Sequence, residues 1–304
     1  MKKLSVILTT YNAEAFLQRT LDSIFGQDGL GTAFELELIV VDDFSTDGTA
    51  RILEANGVKF FTPPFKAGGP NVGRNIGLRQ ATGDYICIMD HDDEWHPRKT
   101  ISQLPLLEKA PIVSCGYTIV DTSTGKKIPR INKPNENQSF IHYPQNAAFI
   151  QRLTKALHGQ QIYLAGVIYS AALKHIEFEE YFRLSDFDWF LRLLHQQSSA
   201  EVCESLYTRH VAGSNLSLNN RYVIQDFYFS LLSIEAYARD YPHEVKTSYQ
   251  RIHGTRARYH YICGDMQQAR FYFCRAGWNW KTVLYYLTTF KGSEWVKKRF
   301  NVFG

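Results

Sequence analysis

Tyr85-Ile86-Cys87-Ile88-Met89-Asp90-His91-Asp92-Asp93 decides the fold class. Five apolar residues in a row predict a short buried strand, and the acidic cluster after them falls where that strand ends. The same alternation repeats toward the amino terminus. Residues 71–81 have helical spacing despite Gly73 and Gly77, and Val58 to Phe61 is a short apolar run. Asp47 to Leu53 reads as a helix with Ser45 or Thr46 as its N-cap. Leu36 to Val41 is a strand ending in Asp42-Asp43, residues 13–25 place Phe16, Leu17, Leu21, Ile24 and Phe25 on one helical side, and residues 4–9 form a first strand ending in Thr9-Thr10-Tyr11-Asn12. Strand and helix in alternation predict an α/β fold, a mostly parallel sheet wrapped by helices.

Beyond residue 93 the pattern loosens. Residues 112–120 form an apolar segment, Ser123-Thr124-Gly125-Lys126 predicts a hairpin turn, and Lys126 to Gln138 is polar and interrupted by proline. Residues 146–157 and 186–196 read as helices, and 161–169 and Glu201 to Tyr207 as strands. After His210 the chain becomes aromatic-rich and helical, with a helix–turn–helix over 249–276 turning at Gly264-Asp265. A boundary near residue 215 divides an α/β region, 1–215, from a helical, basic, aromatic-rich region, 216–304.

Composition narrows the class. The chain has 304 residues, 44% of them hydrophobic, with 18 Tyr, 20 Phe and 5 Trp, which is ample for a packed core and excludes a disordered chain. Cys87, Cys115, Cys203, Cys263 and Cys274 form no C-x-x-C pair, so a disulfide framework or zinc knuckle is not expected. The apolar run after Met1-Lys2-Lys3 stops too soon for a signal peptide, and no stretch approaches the ~18 apolar residues of a spanning helix. A cytoplasmic chain is expected. The net charge of +4 hides an asymmetry: residues 209–304 carry 14 Lys+Arg against 6 Asp+Glu. Basic residues interleave there with aromatics, as in Arg270-Phe271-Tyr272-Phe273, and near the end come Trp295 and Lys297-Lys298-Arg299-Phe300. A helical subdomain with an aromatic core accounts for this pattern; so does peripheral attachment to an anionic membrane surface. No recognition motif points to nucleic acid, and none is expected as a partner.

In open α/β sheets ligands bind at the carboxyl ends of strands, where the three polar clusters fall. A short D-x-D-D is also a common solvated turn. Two acidic clusters brought together repel unless a cation or ligand compensates, and oxygen ligands of this kind suit Mg²⁺ or Mn²⁺. The G-x-G-x-x-G of dinucleotide-binding oxidoreductases, the P-loop signature and the Gly-rich first loop of sugar nucleotidyltransferases are all absent.

The ordered set Ser5-Val6-Ile7-Leu8-Thr9-Thr10-Tyr11-Asn12, Val41 to Thr49, Gly73-Arg74-Asn75-Ile76-Gly77, Thr82-Gly83-Asp84-Tyr85 and Asp90 to Asp93 resembles glycosyltransferase family 2, the inverting transferases of GT-A fold, over roughly residues 3–215. The resemblance implies a nucleotide-diphosphate sugar donor, most simply a UDP-sugar, across the strand ends. Thr9, Tyr11 and Asn12 would line the base pocket, with the Tyr11 ring stacking on the base. Asp43 would accept a base N–H, Asp42 would support the loop, and Arg74 would lie near the base or diphosphate. Asp92 or Asp93 would hold the metal, and Asp90 the ribose. Leu184-Ser185-Asp186-Phe187-Asp188 resembles the family's acidic segment with Ser185 where Glu is common, which makes Asp186 the general base, with Asp188 and Arg192 in support. Read without the family, Ser185 is an N-cap, and Asp186 and Asp188 sit in a first helical turn that favours negative charge. Arg209-His210-x-x-Gly213-Ser214-Asn215 resembles a later diphosphate-side segment, with His210 a secondary metal or phosphate contact. The implied activity is sugar transfer to a hydroxyl of a glycan or lipid-linked acceptor, by an enzyme held peripherally at the inner face of the cell membrane. The competing class is a non-catalytic nucleotide-sugar or carbohydrate-binding module on a decayed transferase; the joint presence of Asp43, Asp92, Asp93 and Asp186 argues against decay.

Overall fold

The computed structural model describes residues 1–134, 138–156, 158–211, 220–292 and 295. Gly213, Ser214, Asn215, the boundary near 215 and Lys297 to Phe300 lie outside the described residues. The strands are β1 (Lys2–Thr10), β2 (Phe34–Asp42), β3 (Phe60–Phe61), β4 (Tyr85–Asp90), β5 (Glu94–Trp95), β6 (Ile112–Asp121), β7 (Lys127–Arg130), β8 (Phe140–Tyr143), β9 (Ile168–Ser170) and β10 (Ser199–Val211). The α-helices are α1 (Leu17–Phe25), α2 (Thr49–Ala55), α3 (Pro70–Gln80), α4 (Lys99–Gln103), α5 (Ala147–Leu153), α6 (Phe187–Leu194), α7 (Asn220–Glu235), α8 (Pro242–Cys263), α9 (Met266–Phe273) and α10 (Trp280–Thr288).

One mixed sheet carries the order β3-β2-β1-β4-β9-β6-β10-β5, with β7 on β6 and β8 on β10. The β3-β2-β1-β4 half is parallel, as its apolar runs require: Leu4, Val6, Ile7 and Leu8 of β1 are fully buried. This is the GT-A architecture expected, a largely parallel sheet flanked by helices. Its far half differs from a simple continuation. β9 inserts antiparallel between β4 and β6, and the expected strand over 161–169 is a 3-10 turn (Leu164–Gly166) followed by the three residues of β9. α1 buries Leu17, Thr20, Leu21 and Ile24 but leaves Phe25 exposed. α3 keeps its two glycines because it lies directly on β1. A Cβ on Gly77 would come within 2.3 Å of Ile7 Cγ2, and one on Gly73 within 3.0 Å of Thr9 Cγ2.

The chain forms two compact units, residues 1–149 with 158–222, and residues 150–157 with 223–304. In the second, α8 stops at Gly264 (φ 85°) and Asp265 caps α9 by accepting from Gln268 N at 3.1 Å, so the turn falls at Gly264-Asp265. Its core holds Ala257, Tyr261, Ala269 and Phe273 with Tyr285 packed against them. The segment 150–157 joins this unit through Lys155 Nζ to Ser230 Oγ (2.9 Å) and Arg251 Nη1 to the Thr154 carbonyl (2.7 Å).

Glu37 pins the lower end of the first sheet half. It accepts from Ser5 Oγ, Thr82 N and Oγ1, and Lys3 Nζ at 2.5–2.9 Å. Although partial burial works the other way, these bonds hold its carboxyl down at about 2. A depressed carboxyl stabilises the fold above its unfolded value, and the contribution fades as pH falls through the folded one. Glu37→Gln is therefore expected to destabilise the protein at pH 7 by about 2 kcal/mol after solvent screening. Thermal melts should show that gap closing as the pH drops from about 4.5 towards 2.

Candidate active site

The ends of β1, β2 and β4 are level, since Thr10 pairs with Asp42 and Thr9 with Asp90 in register. Their polar residues therefore meet on one edge. Asp42 is buried and accepts from Thr10 Oγ1 (2.7 Å), Ser45 Oγ (2.5 Å) and Ser45 N (2.9 Å), so it builds the loop. Ser45 is thereby occupied, and α2 starts after Gly48 with neither Ser45 nor Thr46 as its cap. Asn12 takes a left-handed φ of 47° and accepts from Thr46 N at 2.9 Å, so its amide oxygen ties the β1 loop to the β2 loop. Asp43 accepts from the backbone N–H groups of Ala67 (2.8 Å) and Gly68 (3.1 Å). The same loop carries Lys66, whose ammonium lies 2.9 Å from the Tyr11 hydroxyl and 4.5 Å from its ring centre. Tyr11 thus has a cation beside it that sequence motifs did not mark.

At the end of β4, Arg74 Nη2 donates to Asp90 Oδ1 at 2.8 Å. The Arg74 side chain is almost fully buried, and its Nε has no hydrogen-bond partner. α1 grips the acidic turn from below: Thr20 Oγ1 donates to the carbonyls of His91 (2.9 Å) and Asp93 (2.8 Å), and Arg19 Nη2 to that of Asp92 (2.9 Å). Asp93 is only 2% exposed and accepts from His210 N at 3.3 Å, whereas Asp92 is half-buried. Burial, then the charge of Asp90, pushes the Asp92 carboxyl up; full burial, then Asp90 and Asp92, pushes Asp93 far up. Arg74 pairs with Asp90 and the Arg209 charge opposes the upward push on Asp92 and Asp93, so the chain itself compensates part of the cluster; a divalent cation beside the half-buried Asp92 would add to that. Among the described residues no group of three or more His, Cys, Asp or Glu is arranged to hold a metal ion. His210 Nε2 lies 3.4 Å from Glu94 Oε2, and burial followed by the Arg19 charge pushes the imidazole down, towards its neutral form.

Asp186 occupies the N-cap position of α6 in place of the expected Ser185, and its carboxylate does not cap the helix. Asp188 in the first turn is held by Arg192 at 2.8 Å, an i,i+4 pair. The strap 177–185 that delivers Asp186 is fastened to one face of α3. Asn71 Nδ2 donates to the carbonyls of Glu179 (3.1 Å) and Ser185 (3.3 Å). Asn75 donates to the carbonyl of Phe178 (2.9 Å) and accepts from its N–H (2.7 Å), and Arg79 pairs with Glu177. Positions 71, 75 and 79 recur every four residues, a spacing that marks one side of a helix. Asn71 also accepts from Arg74 Nη1 at 3.1 Å, so Asp90, Arg74, Asn71 and the residue before Asp186 form one hydrogen-bonded chain.

Tyr163 shows what converges. Burial pushes its hydroxyl up, Arg209 opposes this, and Asp186, Asp90 and Asp93 each add to it. Its ring carries the Arg209 guanidinium at 4.4 Å and packs with Tyr117 and Tyr207. Tyr117, Tyr163 and Tyr207 thus form an aromatic wall beside Arg209 that periodicity did not reveal.

The structure thus sets acidic strand ends and a further carboxylate, at the start of α6, on one α/β scaffold. The sequence profile of Glycosyl transferase family 2 matches residues 5–170, and the chain belongs to that family. The poly(ribitol-phosphate) β-N-acetylglucosaminyltransferase TarS of Staphylococcus aureus is 40% identical over 97 residues, covering 31% of this chain and 17% of TarS. The GalNAc(5)-diNAcBac-PP-undecaprenol β-1,3-glucosyltransferase of Campylobacter jejuni is 37% identical over 99 residues, 31% of each chain. The matches thus span well under two thirds of these relatives' lengths. The structure of S. aureus TarS 1–349 superposes with a TM-score of 0.63 at 20% identity, covering 94% of this chain and 80% of that one. In complex with UDP-GlcNAc the same protein gives 0.60 at 19% identity over 97% and 92%. A mannosyltransferase from Pyrobaculum calidifontis, solved with GDP-Man and Mn²⁺, gives 0.57 at 17% identity over 94% and 79%.

Proposed function

We propose that the chain is an inverting, metal-dependent glycosyltransferase that moves a hexosyl or N-acetylhexosaminyl group from a UDP-sugar to a hydroxyl of a glycan or lipid-linked acceptor, in the biosynthesis of a cell-surface polysaccharide. The observation that carries this is the hydrogen-bonded chain that runs from Asp90 through Arg74 and Asn71 to the carbonyl of Ser185, the residue before Asp186. Asp186 takes the proton of the acceptor hydroxyl, whose oxygen attacks the anomeric carbon from the face opposite the diphosphate. The bond from that carbon to the diphosphate oxygen breaks, and the nucleoside diphosphate leaves with the electron pair. Arg74 steadies the diphosphate, while Thr9, Tyr11, Asp43 and Lys66 form the base side. Asp92 is the direct metal ligand; Asp93, too enclosed to reach out, and His210 support it. A bound Mg²⁺ or Mn²⁺ supplies offsetting charge for the leaving group. A lipid-linked acceptor places the work at the inner face of the cell membrane.

Thermal shift with UDP-, dTDP- and GDP-sugars, each with and without Mn²⁺, tests this reading. UDP-sugars with metal are expected to raise the Tm most, by about 3–5 °C at saturating donor. Equal shifts with and without metal would remove the metal from the proposal, and no shift with any nucleotide sugar would remove the donor.

A further inference from the structure

The second unit presents a surface that sugar transfer does not explain. Trp280, Val283 and Leu287 of α10 fall within about 60° of arc at 3.6 residues per turn, and Phe290 follows in the 3-10 turn just beyond it. All four are exposed: Trp280 by 71%, Leu287 by 59%, Phe290 by 64% and Val283 by 40%; Trp278 beside them is 58% exposed. The other side of the helix is spent on the unit's interior, where Thr282 and Thr289 are buried and the Tyr285 ring meets Tyr261 and Phe273. A soluble helix normally turns its apolar stripe inward, whereas this one has aromatic residues on both sides.

Charge indicates what covers the stripe. Residues 266–292 contain Arg270, Arg275, Lys281 and Lys291 and not one Asp or Glu. The cations stand at the exposed rings: Lys281 lies 5.5 Å from the Trp280 ring centre, Arg270 4.8 Å from that of Phe290 and Arg275 3.6 Å from that of Phe271. Indole and phenyl groups beside ammonium and guanidinium groups suit the boundary between acyl chains and anionic headgroups. A second copy of the chain fits poorly, because a two-fold contact would press a stretch whose charged residues from 266 to 292 are all basic against itself. No helix among the described residues is long and apolar enough to cross a membrane, and α10, about 14 Å long, has the length to lie in the plane of a bilayer surface.

We propose that the α10 face is a docking surface for an anionic phospholipid bilayer, with Trp280, Leu287 and Phe290 entering the interface and Lys281, Arg275 and Lys291 at the headgroups. Its use rests on the lipid-linked acceptor proposed above; the surface itself does not. Flotation of the full chain with phosphatidylcholine vesicles, and with equimolar phosphatidylcholine and phosphatidylglycerol, tests it. The wild type is expected to float with the anionic vesicles only and to be released by high salt. Trp280→Ser/Leu287→Ser/Phe290→Ser is expected to lose at least about ten-fold in vesicle affinity with an unchanged melt and unchanged UDP-sugar binding. Wild type left at the bottom of both gradients overturns the proposal. So does a triple variant that floats like wild type, or one that only converts a dimer to a monomer in sedimentation. Because donor binding is measured separately, failure of the transferase reading leaves the flotation result standing.

Discussion

Asp186→Asn is expected to abolish transfer while leaving donor binding close to wild type. The amide is nearly isosteric with the carboxylate and is a good residue for an N-cap position, so α6 should start where it does now. It cannot accept the acceptor's proton, which removes general-base assistance and lowers kcat by about 10³-fold. Arg74, Asp90 and Asp43 are untouched by the change, so the Kd for a UDP-sugar should stay within about two-fold, a difference of ~0.4 kcal/mol. Calorimetry of donor binding beside steady-state transfer checks both halves. Full turnover in the variant would move the base elsewhere, and a large loss of donor affinity would make Asp186 a binding residue instead.

The parallel half of the sheet was legible because strands buried on both faces need unbroken apolar runs, and Ser5 to Leu8 and Tyr85 to Met89 have little alternative. The acidic turn was legible for the same reason: a strand of known end fixes where the next residues lie. Legibility failed where backbone groups do the work. Asp43 meets Ala67 and Gly68 through their N–H groups, which every non-proline residue possesses, so no side chain announced that loop. The N-cap of α2 was misplaced because Ser45 has a stronger claim elsewhere, being held by the buried Asp42. β9 is three residues long, below what periodicity resolves, yet it brings the β6–β10 half of the sheet, and with it Arg209 and His210, beside the parallel half. The strap 177–185 has no period at all. Its anchor did leave a signal, the polar residues Asn71, Asn75 and Arg79 four apart on one side of α3, where a surface helix would be expected to point such groups at water.

That anchor leads to the second large effect. Asn71 is fully buried, and its side chain makes three hydrogen bonds: two donated to the carbonyls of Glu179 and Ser185, one accepted from Arg74. Asn71→Ala removes its bonds to the Glu179 carbonyl, which keeps Phe182 N, and to the half-buried Ser185 carbonyl, and takes the acceptor from one N–H of the buried Arg74, at about 1–3 kcal/mol in all. The melt should fall by several degrees, since about 1 kcal/mol corresponds to 2–4 °C at this size of domain. The functional cost should exceed the structural one. Ser185 immediately precedes Asp186, so freeing its carbonyl lets the base drift from the acceptor oxygen, and a displacement near 1 Å can cost about 10²-fold in rate. Because Asn71 also steadies Arg74, KM for the donor should rise, but by less than kcat falls. Measured below the melt, where the variant is folded, kcat should drop by about 10–100-fold. A folded Asn71→Ala protein with wild-type kcat would show that Asp186 is positioned without the α3 strap; an equal change in kcat and donor Kd would place the role of Asn71 on Arg74 alone.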